Sequence, residues 1–316
     1  MKVLLTGGTG FVGGHILSYL SDEGVDISLL GRSSVPNFPV EKYFKGNIDE
    51  VSDYSSAFSE IDVVIHSAAR AHVMNDLSLN PLDEFRKVNT KGTLNLAKQA
   101  AAAGVKRFIF ISSIKVNGEK TTEDTPFRHG DPRLPEDAYG QSKSEAEEQL
   151  LELVASLAMD VVIIRPPLIY GPGVKANFRS LMKLASMSIP LPFGNIKKNK
   201  RSLVSVFNLA DLIKVCLTHK NAANKILLVS DDRDVSTGEL FALLKASFQK
   251  KNLSYSIPEQ VFWWLGRITG KKIIIERLCG SLCVDISETK SSLGWEPPVS
   301  LEKGLSMTTS YFYLDK

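Results

Sequence analysis

The sequence has little of several features that would mark whole classes of protein. Only three of its 316 residues are cysteine, an odd number without CxxC spacing. This pattern fits a reduced cytoplasm better than a disulfide framework. Cys279 and Cys283 are four residues apart with no histidine nearby, so we expect no metal site.

Charge of one sign and long apolar runs are also scarce. The formal net charge is +3, and residues of both signs are interspersed, which gives no basis for binding nucleic acid through bulk electrostatics. No apolar run approaches the ~20 residues that a membrane-spanning helix needs. The chain opens directly into a strand pattern rather than a signal peptide. We therefore expect a cytoplasmic protein without membrane insertion or a nucleic-acid partner.

The opening MKVLLTGGTGFVGGHIL carries the first clear motif. Residues 3–5 form a short apolar strand pattern, and from Phe11 onward the apolar residues follow helical spacing. Between them, Gly7 permits a tight turn, Gly10 lets a pyrophosphate approach the backbone, and Gly13 lets the helix pack close to the strand. The helix N-terminus adds unpaired N–H groups for the anion. The alternative is an ordinary strand-to-helix turn.

Strand and helix patterns alternate through the first half of the chain. Further strands are predicted at 25–30, 63–65, 106–113 and 160–167, and helices at 88–104 and 139–158. This order predicts an α/β fold, a Rossmann-type doubly wound parallel sheet with a smaller α/β substrate-binding domain. We place the dinucleotide-binding domain at 1–166, with residues about 203–222 returning to it. The smaller domain takes 167–202 and 223–316.

The most specific chemical signal is AYGQSKSEAEEQL. Tyr139 and Lys143 are four residues apart at a helix start, which puts both on one helical face. A phenol with a pKa of ~10 is a poor acid–base catalyst at neutral pH, and a neighbouring ammonium lowers that pKa. Ser112 and Ser113 close the strand RFIFISS, at the carboxyl end where open α/β sheets bind ligands. Either hydroxyl could hold the reacting oxygen.

Taken together, TGGTGFVG, HSAA, ISS…VNG, YGQSK and RPPLIYGPG resemble the extended short-chain dehydrogenases/reductases that modify nucleotide sugars. PLPFGN followed by RSLVSVFNLADLI resembles the UDP-sugar 4-epimerase and 4-ketoreductase subgroup. The resemblance implies ketone–alcohol interconversion at the sugar C4 by hydride exchange with nicotinamide. It implies that Tyr139 is the general acid/base, Lys143 its partner, and Ser113, or else Ser112, the hydroxyl at the reacting oxygen.

The resemblance implies further contacts as well. Those with the cofactor are Gly7, Gly10, Phe11, Val12, Gly13, Arg32, Asn47, Ile48, Ala68, Tyr139, Lys143 and Pro166. Those with the substrate are Ser113, Asn177, Pro192, Arg201 and Arg277. Arg201, and more weakly Arg277, would contact the pyrophosphate, and Asn177 the phosphates or sugar. Pro192 would flank uracil.

The end of the second strand bears on the choice of cofactor. NAD enzymes place an Asp or Glu there, about 20 residues past the glycines, on the ribose 2′-OH. This chain has Gly31 and then Arg32. A glycine leaves room for a 2′-phosphate and an arginine can pair with it, so NADP(H) is preferred and NAD(H) possible. Because a reductase consumes NADPH at each turn, this favours a reductase acting on a 4-keto sugar nucleotide. The resemblance to bacterial enzymes of this kind implies, more specifically, reduction of a UDP-4-keto-6-deoxy-N-acetylhexosamine for bacterial surface polysaccharide.

Other functions remain open. A UDP-glucose or UDP-N-acetylglucosamine 4-epimerase is the nearest alternative. A non-catalytic NADP-binding sensor typically lacks the Tyr/Lys pair that this chain keeps. A steroid- or flavonoid-type ketoreductase would have an apolar pocket rather than Arg201 in a basic loop.

We also expect a homodimer. The aromatic-rich segment VFWWLGRI at 261–268 fits a core or subunit contact better than a ligand platform.

Overall fold

The computed structural model describes residues 1–33, 35–71, 80–122, 125–154, 158–190, 192–194, 196–255, 257, 259–268, 270 and 272–314. The strands found in these ranges are β1 (Lys2–Thr6), β2 (Asp26–Gly31), β3 (Tyr43–Lys45), β4 (Val63–His66), β5 (Arg107–Ile111), β6 (Asp160–Arg165), β7 (Leu168–Tyr170), β8 (Leu203–Ser205) and β9 (Lys225–Leu228). The α-helices are α1 (Phe11–Asp22), α2 (Pro81–Arg86), α3 (Thr93–Ala102), α4 (Ala138–Val154), α5 (Ala176–Ser186), α6 (Val206–Thr218), α7 (Thr237–Ser247), α8 (Glu259–Ile268), α9 (Lys272–Cys279), α10 (Ser287–Leu293) and α11 (Leu301–Phe312).

A seven-stranded parallel sheet in the order β3-β2-β1-β4-β5-β6-β9 forms the centre of the molecule. The predicted doubly wound α/β fold is confirmed. The chain runs outward in one direction from β1 to β3 and in the other from β4 to β9. Ligands of such sheets bind outside the carboxyl ends of the strands, at the point where this direction reverses. Here that point lies between β1 and β4.

Both faces of the sheet are covered, which explains the nearly continuous apolar runs of its strands. Successive side chains of a strand point to opposite faces. Val3 and Leu5 accordingly pack in one core cluster with apolar residues of α1 and α6. Leu4 packs in the other, with residues of α3 and α4. A third cluster joins β7, α5, α7 and α11 in the smaller part of the chain.

The structure differs from the sequence-based expectation in three places. β9 pairs with β6 in the large sheet, so residues 225–228 do not lie in the smaller domain to which 223–316 was assigned. A helix begins at Ala176, within the stretch 169–178 whose Pro/Gly-rich composition predicts a loop. Of the two alternatives for residues 261–268, core or subunit contact, the core does not apply to Trp264 and Ile268, which are 64% and 63% exposed. The subunit contact stays a prediction, and the side chain of Trp263 lies outside the described residues. No helix in the described part of the chain is long and apolar enough to cross a membrane.

Gly304 provides a test of packing in the smaller part of the chain. An added Cβ would lie 2.4 Å from the Oη of Tyr170, a buried side chain whose hydroxyl donates to Asp231 at 2.6 Å. Helix propensity alone predicts that alanine stabilises α11 by ~1 kcal/mol. We expect overpacking to outweigh it, so that Gly304→Ala lowers the free energy of unfolding by about 1–2 kcal/mol.

Denaturant titration measures this change. The control is Gly130→Ala, because a Cβ added there meets no atom within 4 Å. The control should stay within about 0.5 kcal/mol of the parent protein. A Gly304→Ala variant as stable as the control would refute the proposed overpacking.

Candidate active site

The glycine turn after β1 has the geometry of a pyrophosphate cradle. Gly7 has φ +78°, and a Cβ added to it would lie 2.7 Å from the Ala68 amide nitrogen. A Cβ on Gly13 would lie 2.1 Å from the Gly7 carbonyl oxygen. Over Gly10, by contrast, a Cβ meets only the Gly7 oxygen, at 3.2 Å, so that side of the turn is open. The turn therefore fits the dinucleotide that the motif predicts.

The first turn of α1 follows directly, and it contains Phe11 and Val12. Its N-cap is Gly10, which offers no side-chain acceptor to the amides of that turn. Backbone N–H groups at a helix start attract anions, and the helix dipole adds to this attraction. Gly7 and Gly13 therefore shape the turn, and Gly10 leaves the approach to it open.

The other predicted cofactor residues lie at the same edge of the sheet, because parallel strands bring their carboxyl ends together. Arg32 follows β2 and is exposed, and Asn47 and Ile48 follow β3. Ala68 follows β4, and its amide donates to Thr6 Oγ1 at 3.2 Å. Pro166 follows β6, and its carbonyl accepts from the Ile114 amide at 3.0 Å.

Lys143 lies on α4, and only 1% of it is exposed. Its Nζ donates to the carbonyl oxygen of Ile111 at 2.8 Å and lies 4.3 Å above the Phe110 ring. Burial lowers the pKa of Lys143 to about 7, although the Glu147 carboxylate acts in the opposite direction. Near neutral pH this side chain can therefore exist with or without its charge.

Tyr139 lies in the first turn of α4, where its ring meets Phe85 edge to face with 6.1 Å between the ring centroids. Burial raises the pKa of Tyr139, and the Asp137 carboxylate raises it further. This direction is opposite to the lowered pKa that the sequence led us to expect. Desolvation and the Asp137 charge dominate at the phenol, while the Lys143 ammonium donates to the Ile111 carbonyl.

The two serines after β5 differ in their surroundings. The Ser112 hydroxyl is buried and donates to Glu147 at 2.5 Å. Ser113 is partly exposed, and its Oγ accepts from the Lys115 amide at 3.3 Å, capping the helical turn Ile114–Val116. That bond does not use the Ser113 hydroxyl proton, so Ser113 is the better placed of the two to donate to a ligand.

A π-helical turn, Lys87–Gly92, connects this site to the segment after β4. Asn89 accepts from the Arg70 amide at 2.8 Å and donates to the Ser142 Oγ at 3.0 Å. Thr90 donates to the Ser142 carbonyl at 2.8 Å, and Ser142 lies directly before Lys143. Sequence reasoning read this stretch as ordinary helix, because a π-turn hardly alters the apolar pattern. Its one signal is a pair of buried polar residues, Asn89 and Thr90.

His66 at the end of β4 is fully buried and structural. Its Nδ1 lies 2.7 Å from Thr6 Oγ1, and its Nε2 lies 2.9 Å from Thr93 Oγ1. Thr93 donates its own proton to the Asn89 carbonyl, so Nε2 is the donor and Nδ1 the acceptor of a neutral imidazole. Burial and the charge of Lys143 lower the pKa of His66 to about 3, so it stays neutral at physiological pH.

The predicted substrate residues lie on segments of the smaller part of the chain. Asn177 is exposed in the first turn of α5, and Pro192 is partly exposed. Arg201 pairs through its backbone with Val235, and its Nη1 donates to the Gly280 carbonyl at 3.1 Å. The Arg277 side chain lies outside the described residues. Their contacts with a substrate stay predictions. The described ranges contain no group of His, Cys, Asp and Glu arranged to hold a metal.

Two neighbouring glycines test the cradle. Gly13→Ala puts a Cβ 2.1 Å from the Gly7 oxygen, whereas Gly14→Ala puts one at an ordinary 3.5 Å from the Gly8 oxygen. We expect Gly13→Ala to weaken dinucleotide binding at least ~10-fold. The backbone oxygen of Gly7 can move away from the new Cβ only if the tight turn is distorted, which costs free energy. Calorimetric titration with NAD and NADP measures this. Equal weakening by Gly14→Ala would show that the effect is not specific to the cradle.

Comparisons with known proteins agree with this geometry. The model of the NAD dependent epimerase/dehydratase family matches residues 3–229. A UDP-glucose 4-epimerase of Vibrio cholerae is 50% identical over 314 residues, covering 98% of this chain and 95% of the relative. The N-acetyl-alpha-D-glucosaminyl-diphospho-ditrans,octacis-undecaprenol 4-epimerase of Escherichia coli O157:H7 is 29% identical, covering 99% and 96%.

Solved structures show the same fold at lower identity. A UDP-glucose 4-epimerase of Thermotoga maritima, crystallised with UDP-glucose, superposes with a TM-score of 0.77 at 22% identity, covering 100% of this chain and 99% of that one. The RMD protein of Pseudomonas aeruginosa, complexed with NADPH, superposes with a TM-score of 0.76 at 22% identity, covering 98% of each chain. From the glycine cradle, the Tyr139–Lys143 pair and these matches together, the chain belongs to the NAD-dependent epimerase/dehydratase family of extended short-chain dehydrogenases/reductases.

Proposed function

We propose that this protein is a UDP-sugar 4-epimerase acting on UDP-glucose or UDP-N-acetylglucosamine. The observation that carries the proposal is the 50% identity to the Vibrio cholerae epimerase across nearly the full length of both chains. It outweighs our sequence-based preference for a 4-ketoreductase, which depended on a cofactor choice inferred from Gly31 and Arg32 alone. A UDP-sugar is accordingly the proposed partner.

Several residues of this chain would hold the dinucleotide. The turn of Gly7, Gly10 and Gly13 would take the pyrophosphate, and Lys143 would bond the ribose next to the nicotinamide. Bound nicotinamide supplies the acceptor and the donor of the hydride at C4 of the sugar. The protein itself supplies the orientation of that carbon and the handling of the proton on O4.

Three side chains would handle that proton. Tyr139 takes the proton from the sugar 4-OH when the alcohol is oxidised and returns it when the ketone is reduced. Ser113 donates its hydroxyl to the same oxygen and so fixes its position. The Lys143 ammonium stabilises the phenolate form of Tyr139. Epimerisation requires the hydride to return to the opposite face of C4, so the nucleotide must stay bound while the sugar turns. We assign that anchoring to Arg201 and Asn177.

Tyr139→Phe tests this assignment, because the change keeps the ring and removes the proton carrier. Loss of a general acid or base typically costs about 10²-fold or more in rate, so we expect kcat to fall by that much while UDP binding changes less than twofold. Chromatography of UDP-glucose and UDP-galactose after incubation measures the rate. An unchanged kcat would remove Tyr139 from the mechanism.

Product analysis distinguishes epimerase from reductase. We expect purified protein to convert UDP-glucose or UDP-N-acetylglucosamine into its C4 epimer without net change in the absorbance of reduced nicotinamide. A 4-ketoreductase would instead leave both sugars unchanged and oxidise NADPH when given a UDP-4-keto sugar. That second result would overturn the proposal.

We further propose that the end of β2 accepts NADP as well as NAD. Gly31 offers no carboxylate to a ribose 2′-OH, and the nearest atom to a Cβ added there is the Ser33 carbonyl oxygen, at 3.9 Å. A side chain therefore fits at this position. Arg32 is exposed beside it and is free to approach a 2′-phosphate as a charged donor.

Gly31→Asp should shift the ratio of NADP to NAD affinity toward NAD by about 10- to 100-fold, since it adds an acceptor for the hydroxyl and repels the phosphate. Arg32→Ala should weaken NADP binding and leave NAD binding nearly unchanged. Calorimetric titration of each variant with both cofactors gives the ratios. If Arg32→Ala weakens the binding of NADP and NAD equally, Arg32 does not contact the 2′-phosphate that distinguishes the two cofactors.

A further inference from the structure

A cluster of four buried polar side chains, the Glu147 cluster, lies directly behind the candidate site. Its members are Ser112, Asn117, Glu147 and Arg165, each between 0% and 3% exposed. The Arg165 guanidinium forms a fork on the Glu147 carboxylate, with Nε 3.0 Å from Oε1 and Nη2 2.5 Å from Oε2. Ser112 donates to the same carboxylate at 2.5 Å, and Arg165 Nη1 donates to Asn117 Oδ1 at 2.9 Å.

Each of three site residues is a close chain neighbour of a member of this cluster. Ser112 precedes Ser113, and Arg165 precedes Pro166. Glu147 follows Lys143 by four residues on α4, which places the two on one face of the helix. The cluster thus joins the carboxyl ends of β5 and β6 to the helix that carries Tyr139 and Lys143.

Stability alone is a weak explanation for such a cluster. Burying an ion pair costs desolvation energy that the attraction between the charges often only balances, and apolar residues of similar volume frequently serve as well or better. Connecting two strands and a helix through this buried ion pair therefore costs desolvation energy that apolar side chains would avoid. Its position one helical turn from Lys143 points to a use of its negative charge.

In the described part of the chain, few titratable groups lie near Lys143. Tyr139 and Glu147 lie on its own helix, His66 lies on the neighbouring β4, and Arg165 lies on β6 behind Glu147. His66 is neutral, because burial lowers its pKa to about 3. Among the described residues, Glu147 is the anion that favours the charged form of Lys143, against the effect of burial.

We propose that Glu147 is a positioning residue for the Tyr139–Lys143 pair, holding the ends of β5 and β6 against α4 and supplying the negative charge that keeps the ammonium form of Lys143 populated. The role in catalysis rests on the proposed function; the effect on Lys143 does not.

The chemistry gives this role a measurable consequence. To accept the proton of the sugar 4-OH, the Tyr139–Lys143 pair must first lose one proton. Two forms then compete, phenolate with ammonium and phenol with amine, and only the first can act as the base. Because burial raises the pKa of Tyr139 and lowers that of Lys143, the second form dominates, and the pair titrates as a unit. A weaker attraction between the Glu147 carboxylate and the Lys143 ammonium shifts the balance further toward the phenol–amine form, which cannot act as the base.

Glu147→Gln tests the proposal because it removes the charge and keeps the shape. We expect the midpoint of Lys143, followed by NMR of ¹³Cε-labelled lysine, to fall by about one pH unit, and kcat/KM to fall about tenfold per unit. The acid limb of the pH profile of kcat/KM should move to lower pH by the same amount. Glu147→Asp keeps the charge and changes only the shape, so it should leave the midpoint in place.

The matched control is Glu148→Gln, on the same helix, whose carboxylate pairs with Arg133 at the surface. It should change neither the midpoint nor the rate. If Glu147→Gln does not fold, the double variant Glu147→Gln with Arg165→Met removes both charges and should still lower the midpoint.

A Lys143 midpoint that is unchanged in the folded variants would overturn the proposal. So would a rate loss that is equal in Glu147→Gln and Glu147→Asp without movement of the acid limb, since that is the mark of a purely structural role. Absence of epimerase activity in the parent protein would refute the proposed function instead, and the NMR titration would still decide the role of Glu147.

Discussion

The parallel alignment of the seven central strands is the constraint on which the rest of the structure depends. Parallel strands end at one common edge, so a residue that closes a strand is automatically near residues that close its neighbours. Gly7 after β1, Ala68 after β4 and Ser113 after β5 come from distant parts of the chain and lie at the same edge of the sheet for this reason. The candidate active site is therefore a consequence of strand order, and α4 adds the two candidate residues that no strand end supplies.

A site built in this way must satisfy polar groups deep inside the protein, where an unpaired group costs about 1–3 kcal/mol. The structure meets the requirement with short hydrogen-bonded chains. Thr6, His66 and Thr93 form one such chain beneath the cofactor edge. Arg165 and Glu147 anchor another beneath α4. Each chain joins segments that are remote in sequence, so loss of one member would displace more than its own element.

Much of the fold and part of the site could be predicted from the sequence. The period of the apolar residues and the glycine spacing were sufficient for the doubly wound sheet and for the turn of Gly7 to Gly13. What could not be predicted depended on partners far away in the chain. The pairing of β9 with β6 is set by tertiary packing. The π-turn at Asn89 is visible only through its bonds to Arg70 and Ser142. The role of Ser112 follows from Glu147, 35 residues away.

Electrostatics at Tyr139 and Lys143 illustrate the same limit in chemical terms. Their spacing on α4 is local, and from it we expected a lowered pKa for the phenol. The direction reverses in the folded protein, because burial disfavours both charged forms and Asp137 faces the phenol. A dry, preorganised site strengthens electrostatic interactions with a bound ligand, but the same dryness makes each isolated charge costly. Burial thus favours the neutral form of the Tyr139–Lys143 pair, and in our proposal the buried carboxylate of Glu147, one helical turn away, shifts the balance back toward the charged form.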